Sequence, residues 1–197
     1  MMPATDWEAL RPTIVTAVGE TLLMVGATII MGGLLGLALG VLLNTTRRGG
    51  ILENRVLHTV LNVLVNIIRP IPFIIFAAAL GPLTLAVTGS TIGAKSMIFP
   101  LTIASTFGIS RIVEQNLMSV DPGVIEAARS MGVSRFRIMT TVILPEALGP
   151  LVLGYTFLVI GVTDMSAMAG AIGAGGLGDF ALRLGYQRFN DQVTWAA

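Results

Sequence analysis

No cysteine occurs in the 197 residues, so the chain forms no disulfide and offers neither a thiolate nucleophile nor a Cys-ligated zinc or iron–sulfur site. Histidine occurs once, at His58, which leaves little from which to build a metal centre. Charge is scarce: Asp, Glu, Lys and Arg make up 12% of residues, against about 25% in an ordinary soluble domain. The 12 basic and 11 acidic residues nearly cancel and form no basic run, which gives no electrostatic footprint for nucleic acid. No paired carboxylates and no nucleophile–base constellation support enzymatic chemistry. What the chain has instead is apolar: 54% of its residues before its 23 glycines are counted, with a mean hydropathy of +0.84. A water-soluble globule of this size could not bury that much apolar surface, so a bilayer is the implied solvent and a soluble enzyme is excluded.

Crossing a hydrocarbon core about 30 Å thick takes roughly 20 apolar residues in a helix. Four stretches qualify, at about 15–43, 56–80, 92–117 and 138–161, which predicts an all-α, polytopic helix bundle in a single transmembrane domain over 1–197. The first is the clearest, with nothing ionisable from Thr21 to Thr46. It is too long for a signal-peptide core and lacks a basic leader, so it is read as a retained span. Arg69, Pro70 and Pro72 interrupt the second; Lys95, Arg111 and Glu114 sit toward the ends of the third; Pro145, Glu146 and Pro150 lie near the start of the fourth. Basic residues favour the cytoplasmic side. Segments 44–55 and 111–140 hold seven (Arg47, Arg48, Arg55, Arg111, Arg129, Arg135, Arg137), against Arg11, Lys95, Arg183 and Arg188 opposite. The N-terminus is therefore expected outside, with segment 111–140 in the cytoplasm.

Two apparent nucleotide motifs fail on context. Gly173-Ala-Gly175-Gly-Leu-Gly178 fits G-x-G-x-x-G, but it follows a membrane span rather than a β-strand. Gly89 to Ser96 resembles a phosphate-binding loop except that Ala94 stands where the glycine before the lysine is required. The chain is thus expected to bind no cofactor, and any ATP that drives it must sit on a partner. Gly32, Gly36 and Gly40 recur every fourth residue and present a flat strip for close helix packing. Arg69-Pro70-Ile-Pro72 reads either as a break at membrane depth, where an ionisable group marks function, or as a headgroup-level start of a helix at Pro72 with Arg69 snorkelling. Asp164 poses the same question beside the glycine-rich loop and is expected to be interfacial.

The stretch from Ser119 to Pro150 says most. Asp121 suits an N-cap, Pro122 the first helical position and Gly132 the residue after a helix end, which together predict a short helix over 122–131. Ser134 suits the cap of a second helix leading into the fourth span. A helix this short needs packing to persist. Val124, Ile125 and Met131 are its apolar contacts, with Glu126, Arg129 and Arg135 as a polar rim. By physics alone the element either grips a partner protein or rests on anionic headgroups.

Glu126-Ala127-Ala128, Gly132 six residues after the glutamate, and Leu144-Pro145 resemble the EAA motif of ABC importer permeases, E-A-A-x3-G-x9-I-x-L-P, with Val142 in place of the isoleucine. The resemblance implies a type I ABC importer permease-like fold. It also implies that 122–132 is the coupling helix, with Val124, Ile125, Glu126, Ala127, Ala128, Arg129, Met131 and Gly132 docking into a separate ATPase subunit that holds ATP and Mg. Asn66-Ile-Ile-Arg69-Pro70-Ile-Pro72-Phe73-Ile74, Pro100-Leu101-Thr102, Ile109-Ser-Arg111-Ile-Val-Glu114, and the run from Ser166-Ala-Met168 to Gly178 are similar to the methionine-uptake branch. The branch implies a multi-pass subunit of a bacterial cytoplasmic membrane that moves methionine, in L and D forms, by alternating access. Its implied partners are a second permease copy, two ATPase subunits, an extracytoplasmic methionine-binding lipoprotein and membrane lipid. Family members have five spans, and the expectation here is four visible with the fifth missing past Ala197.

Path or gate residues are expected at the interruptions, namely Arg69, Pro70 and Pro72, and at the outer end of the fourth span, namely Asp164, Met165, Ser166 and Met168. Soft thioethers there suit a thioether substrate, although methionines in a bilayer also serve simply as packing. The rival readings are the same machinery serving another amino acid or small solute, an ATPase-independent transporter, and a membrane scaffold.

Overall fold

The computed structural model describes residues 5–197. Among them secondary structure is helical throughout, with no β-strand. Helices α1 (Trp7–Thr46), α5 (Ala94–Met118) and α9 (Leu148–Ala171) are each long and apolar enough to cross a membrane, and the broken pair α2 (Arg55–Ile68) and α3 (Phe73–Ala79) passes when taken together. Shorter elements fill the rest: α4 (Gly81–Thr88), α6 (Pro122–Ser130), α7 (Arg135–Ile138), α8 (Leu144–Glu146), α10 (Gly176–Phe180) and α11 (Asp191–Ala196).

Three boundaries differ from the sequence expectation. At 40 residues α1 measures about 60 Å, twice a hydrocarbon core, so it outruns the expected 15–43 at both ends. The expected span 56–80 is not one helix. It stops at Ile68, and Pro72, with φ −55° and ψ 134°, is the cap residue from which α3 starts afresh. The expected span 138–161 is displaced toward the C-terminus. A π-helical turn at Met139–Ile143 and the short α8 precede α9, which continues to Ala171. Pro145 explains the irregular start, because it has no N–H to return to residue 141.

The chain packs as two compact units, each drawing segments from α1, α5 and α9. One comprises the residues through Met31, Ile71–Ala104 and Val159–Ala197. Its main apolar cluster is Met24, Phe73, Ala77, Ala94, Met97, Leu101, Ala169 and Ala174, with Met165 against it. A smaller cluster of Ala17, Phe180 and Val193 ties the C-terminal helices to the start of α1.

The other unit comprises Gly32–Pro70 and Ser105–Leu158. Glycines let its backbones approach. A Cβ on Gly36 would collide with Ile109, and one on Gly40 would stand 2.6 Å from both the Ser110 carbonyl and Val113. Gly154 meets Ile112 and Asn116 in the same way. Tyr155 donates its hydroxyl hydrogen to the Gly33 carbonyl at 2.7 Å, and Asn116 donates to the Pro150 carbonyl at 2.8 Å. The strip at Gly36 and Gly40 is thus a packing face, with α5 as its partner.

Candidate functional site

The short helix α6 is specified at both ends by its own residues. Asp121 Oδ1 accepts from the Gly123 N–H at 2.7 Å, and Pro122 occupies the first turn, where its missing N–H costs nothing. At the other end the Gly132 N–H reaches the Arg129 carbonyl at 2.9 Å and the Val133 N–H reaches Ala128 at 3.2 Å. Gly132 closes this turn with φ +76°, in the left-handed region where glycine alone is free of strain. The helix therefore stops at Ser130, and Met131 and Gly132 of the expected 122–132 form its terminating turn.

The helix has a clear inside and outside. Ala128 is buried and Ile125 half-buried, so these two hold α6 to its own unit. Val124, Glu126, Ala127, Arg129 and Met131 are exposed, Met131 at 75%. Of the docking residues implied by the resemblance, Ala128 is turned inward and Ile125 partly so. Ser134 takes the cap position of α7 but its side chain makes no capping bond. One outward residue has only a weak sequence signal. Phe136 is 80% exposed, while Ile138 and Met139 beyond it are buried. That signal is an aromatic ring set between Arg135 and Arg137 at the start of an otherwise inward-facing run.

The same unit holds a charged cluster whose members show in the sequence only as charges toward a span end. Glu114 is 4% exposed and pairs with Arg111 one turn earlier. Arg111 Nη2 also donates to Asn62 Oδ1 at 2.9 Å and Asn66 Oδ1 at 3.1 Å, so α5 is tied to α2 through one guanidinium. The residues at the first interruption are uncovered within the chain: Arg69 and Pro70 are exposed in the turn after α2, and Arg69 has no ion-pair partner among the described residues.

In the first unit, Asp164, Met165, Ser166 and Met168 occupy the last two turns of α9, the end of the span where the sequence put them. Asp164 and Met168 are exposed, Met165 is half-buried against the main cluster, and Ser166 is buried with its hydroxyl donated to the Thr163 carbonyl at 2.7 Å. Pro72 sits at the N-cap of α3. The G-x-G-x-x-G look-alike follows α9, and its first free amides are taken: Gly176 N–H by Glu20 and Leu177 N–H by Thr21. A phosphate would find them occupied. Among the described residues no cluster of His, Cys, Asp or Glu could hold a metal.

Comparison with known proteins bears on the family and the fold. Residues 32–197 match the family described as binding-protein-dependent transport system inner membrane component. The D-methionine transport system permease protein MetI of Escherichia coli K12 is 42% identical over 163 residues, 83% of this chain and 75% of that protein. MetI of Yersinia pestis is 41% identical over the same shares. A solved inward-facing structure of the MetNI methionine ABC transporter superposes with a TM-score of 0.92 at 41% identity, covering 95% of this chain and 87% of the other. An amino acid ABC transporter crystallised with histidines shares the fold, at TM-score 0.76 and 22% identity, over 99% of this chain and 89% of that one.

Proposed function

The chain belongs to the inner membrane components of binding-protein-dependent transport systems, and from that premise we propose that it is the permease subunit of an ATP-driven methionine importer, taking both enantiomers. The observation that carries this reading is α6: a helix capped at both ends by its own sequence, seated by Ala128, that holds Val124, Ala127 and Met131 outward. An exposed nine-residue helix is marginal in water unless something packs on it. The occupant is an ATPase subunit, which holds ATP and Mg and performs the hydrolysis; this chain carries no cofactor. Two such subunits serve two copies of the permease in the cytoplasmic membrane of a bacterium, and an extracytoplasmic lipoprotein delivers methionine. The names of the relatives and of the MetNI transporter support the substrate.

Alternating access follows from linkage. Nucleotide can shift the spans between two states only if the ATPase holds α6 differently in each. Buried Ala128 and half-buried Ile125 make the helix a rigid handle on its unit, so displacement of α6 carries the unit with it. Asp164, Met165, Ser166 and Met168, with Arg69, Pro70 and Pro72 at the broken span, are the residues this reading assigns to the path or its gate, where broken helices and transport sites coincide.

The test is uptake of radiolabelled methionine into proteoliposomes that hold the full-length chain and its ATPase, with the binding protein added outside. Uptake is expected to require ATP and to be competed by both D- and L-methionine. Flux without the ATPase, or preference for another amino acid, contradicts the reading.

A further inference from the structure

Glu20 and Thr21 lie side by side about a third of the way along α1, and both are spent on one distant loop. Glu20 Oε2 accepts the Gly176 N–H at 2.7 Å and Thr21 Oγ1 accepts the Leu177 N–H at 2.9 Å, across 156 residues of sequence. These are the leading amides of α10, which a local N-cap side chain would ordinarily satisfy. No local cap is available. Gly175 holds that position with φ +80° and ψ −153°, a conformation open essentially to glycine alone, and glycine has no side chain to offer. The cap is therefore supplied from another helix, by a carboxylate and a hydroxyl.

The contact leaves no slack. A Cβ on Gly175 would run into the Glu20 carboxylate, and one on Gly176 would stand 2.8 Å from Thr21 Oγ1 and 3.0 Å from Met24. The other side of the turn lies equally flush on α9: a Cβ on Gly178 would strike the Ala167 carbonyl, and one on Gly170 the Asp179 amide. Glu20 and Thr21 thus hold the glycine turn, and the glycine turn holds residues 167–170 of α9. Met168 lies within that clamped stretch and Met165 within a turn of it.

We propose that Glu20 and Thr21 are positioning residues for the gate: through the glycine-rich turn they fix the register of the last two turns of α9, so that Met165 and Met168 move as one rigid piece during transport. This rests on the assignment of Met165 and Met168 to the path. A tie that served folding alone would change how much protein accumulates but not the methionine moved per ATP.

The test uses the full-length chain with its ATPase in proteoliposomes and compares Glu20→Ala and Thr21→Val, which remove the acceptor, with Glu20→Gln and Thr21→Ser, which keep one. A parallel set carries Met168→Cys, labelled by a membrane-impermeant maleimide with and without ATP. Losing a hydrogen bond of this kind shifts the docked turn by roughly tenfold, so the removing variants are expected to move at least several-fold fewer methionines per ATP while hydrolysis persists. In them the Met168→Cys thiol loses its ATP-dependent labelling, and Gln and Ser restore both readouts. An unchanged transport ratio in the removing variants overturns the proposal, as does their failure to assemble while Gln and Ser assemble with the parent's ratio. If the thiol in the otherwise unaltered chain labels equally with and without ATP, the path assignment itself is wrong and takes this inference with it.

Discussion

Replacing Gly132 separates backbone strain from steric crowding in the turn that ends α6. A Cβ built there meets nothing within 4 Å, so any penalty is conformational and comes from φ +76°. A non-glycine residue in the left-handed region costs about 1–2 kcal/mol, with a β-branched side chain at the upper end and asparagine tolerated best. At 1.4 kcal/mol per tenfold, about 2 kcal/mol for Gly132→Val lowers the population of the closed turn by roughly thirtyfold. The two closing bonds, to Arg129 and Ala128, are lost with it, and a helix of nine residues frays from that end. The assay is methionine uptake and ATP hydrolysis by the reconstituted full-length complex, with membrane yield measured beside them. Activity should fall in the order glycine, asparagine, alanine, valine, with yield nearly constant because the turn is exposed. Equal uptake by the asparagine and valine variants would refute the reasoning, since both carry a Cβ and differ mainly in tolerance of that φ.

Three further substitutions follow from the packing. Arg111→Met should lower thermal stability in detergent by about 3 kcal/mol by leaving Glu114 buried and unpaired, toward the low end because the Arg111 side chain keeps 22% exposure; adding Glu114→Gln should recover most of the loss. Gly40→Ala drives a Cβ to 2.6 Å from the Ser110 carbonyl and Val113 and should cost about 1–3 kcal/mol, whereas Gly26→Ala, with nothing within 4 Å, should be neutral or stabilising in the same melting assay. Asp121→Ala removes the cap on Gly123 and should loosen α6 by about 1 kcal/mol, seen as faster amide exchange over 123–126, with Asp121→Asn close to the parent.

The elements that sequence made legible are those whose signals are local. Asp121, Pro122 and Gly132 each act within a turn of their own position, so the limits of α6 could be read directly. Hydrophobic length announced α1, and the prolines at 70 and 72 announced the break after α2. What sequence concealed depends on distant partners. Nothing near Glu20 indicates that its acceptor role lies 156 residues away, because a carboxylate beside an apolar run carries no mark of the backbone it will cap. Arg111 and Glu114 were visible as charges near a span end, but their burial and their tie to Asn62 and Asn66 are tertiary facts. The start of the fourth span was misplaced because a π-helical turn and the short α8 with Pro145 precede α9, and hydropathy does not encode such irregular turns. Asp164 to Met168, expected at the outer end of that span, lie in the last two turns of α9. The coupling role itself came from resemblance and not from composition or periodicity, whereas the path residues were read from the helix interruption and from the soft side chains at the end of the fourth span.

What covers the outward face of α6 decides whether ATP can move the permease through it, and site-specific photo-crosslinking from position 131, where the native methionine is 75% exposed, tests that directly. In membranes holding the full-length chain and its partners, a photoreactive residue in place of Met131 should yield one dominant adduct, with the ATPase subunit, whose intensity changes when nucleotide is added. Adducts with phospholipid alone, or an ATPase adduct indifferent to nucleotide, would contradict the claim that this helix is the handle of the transport cycle.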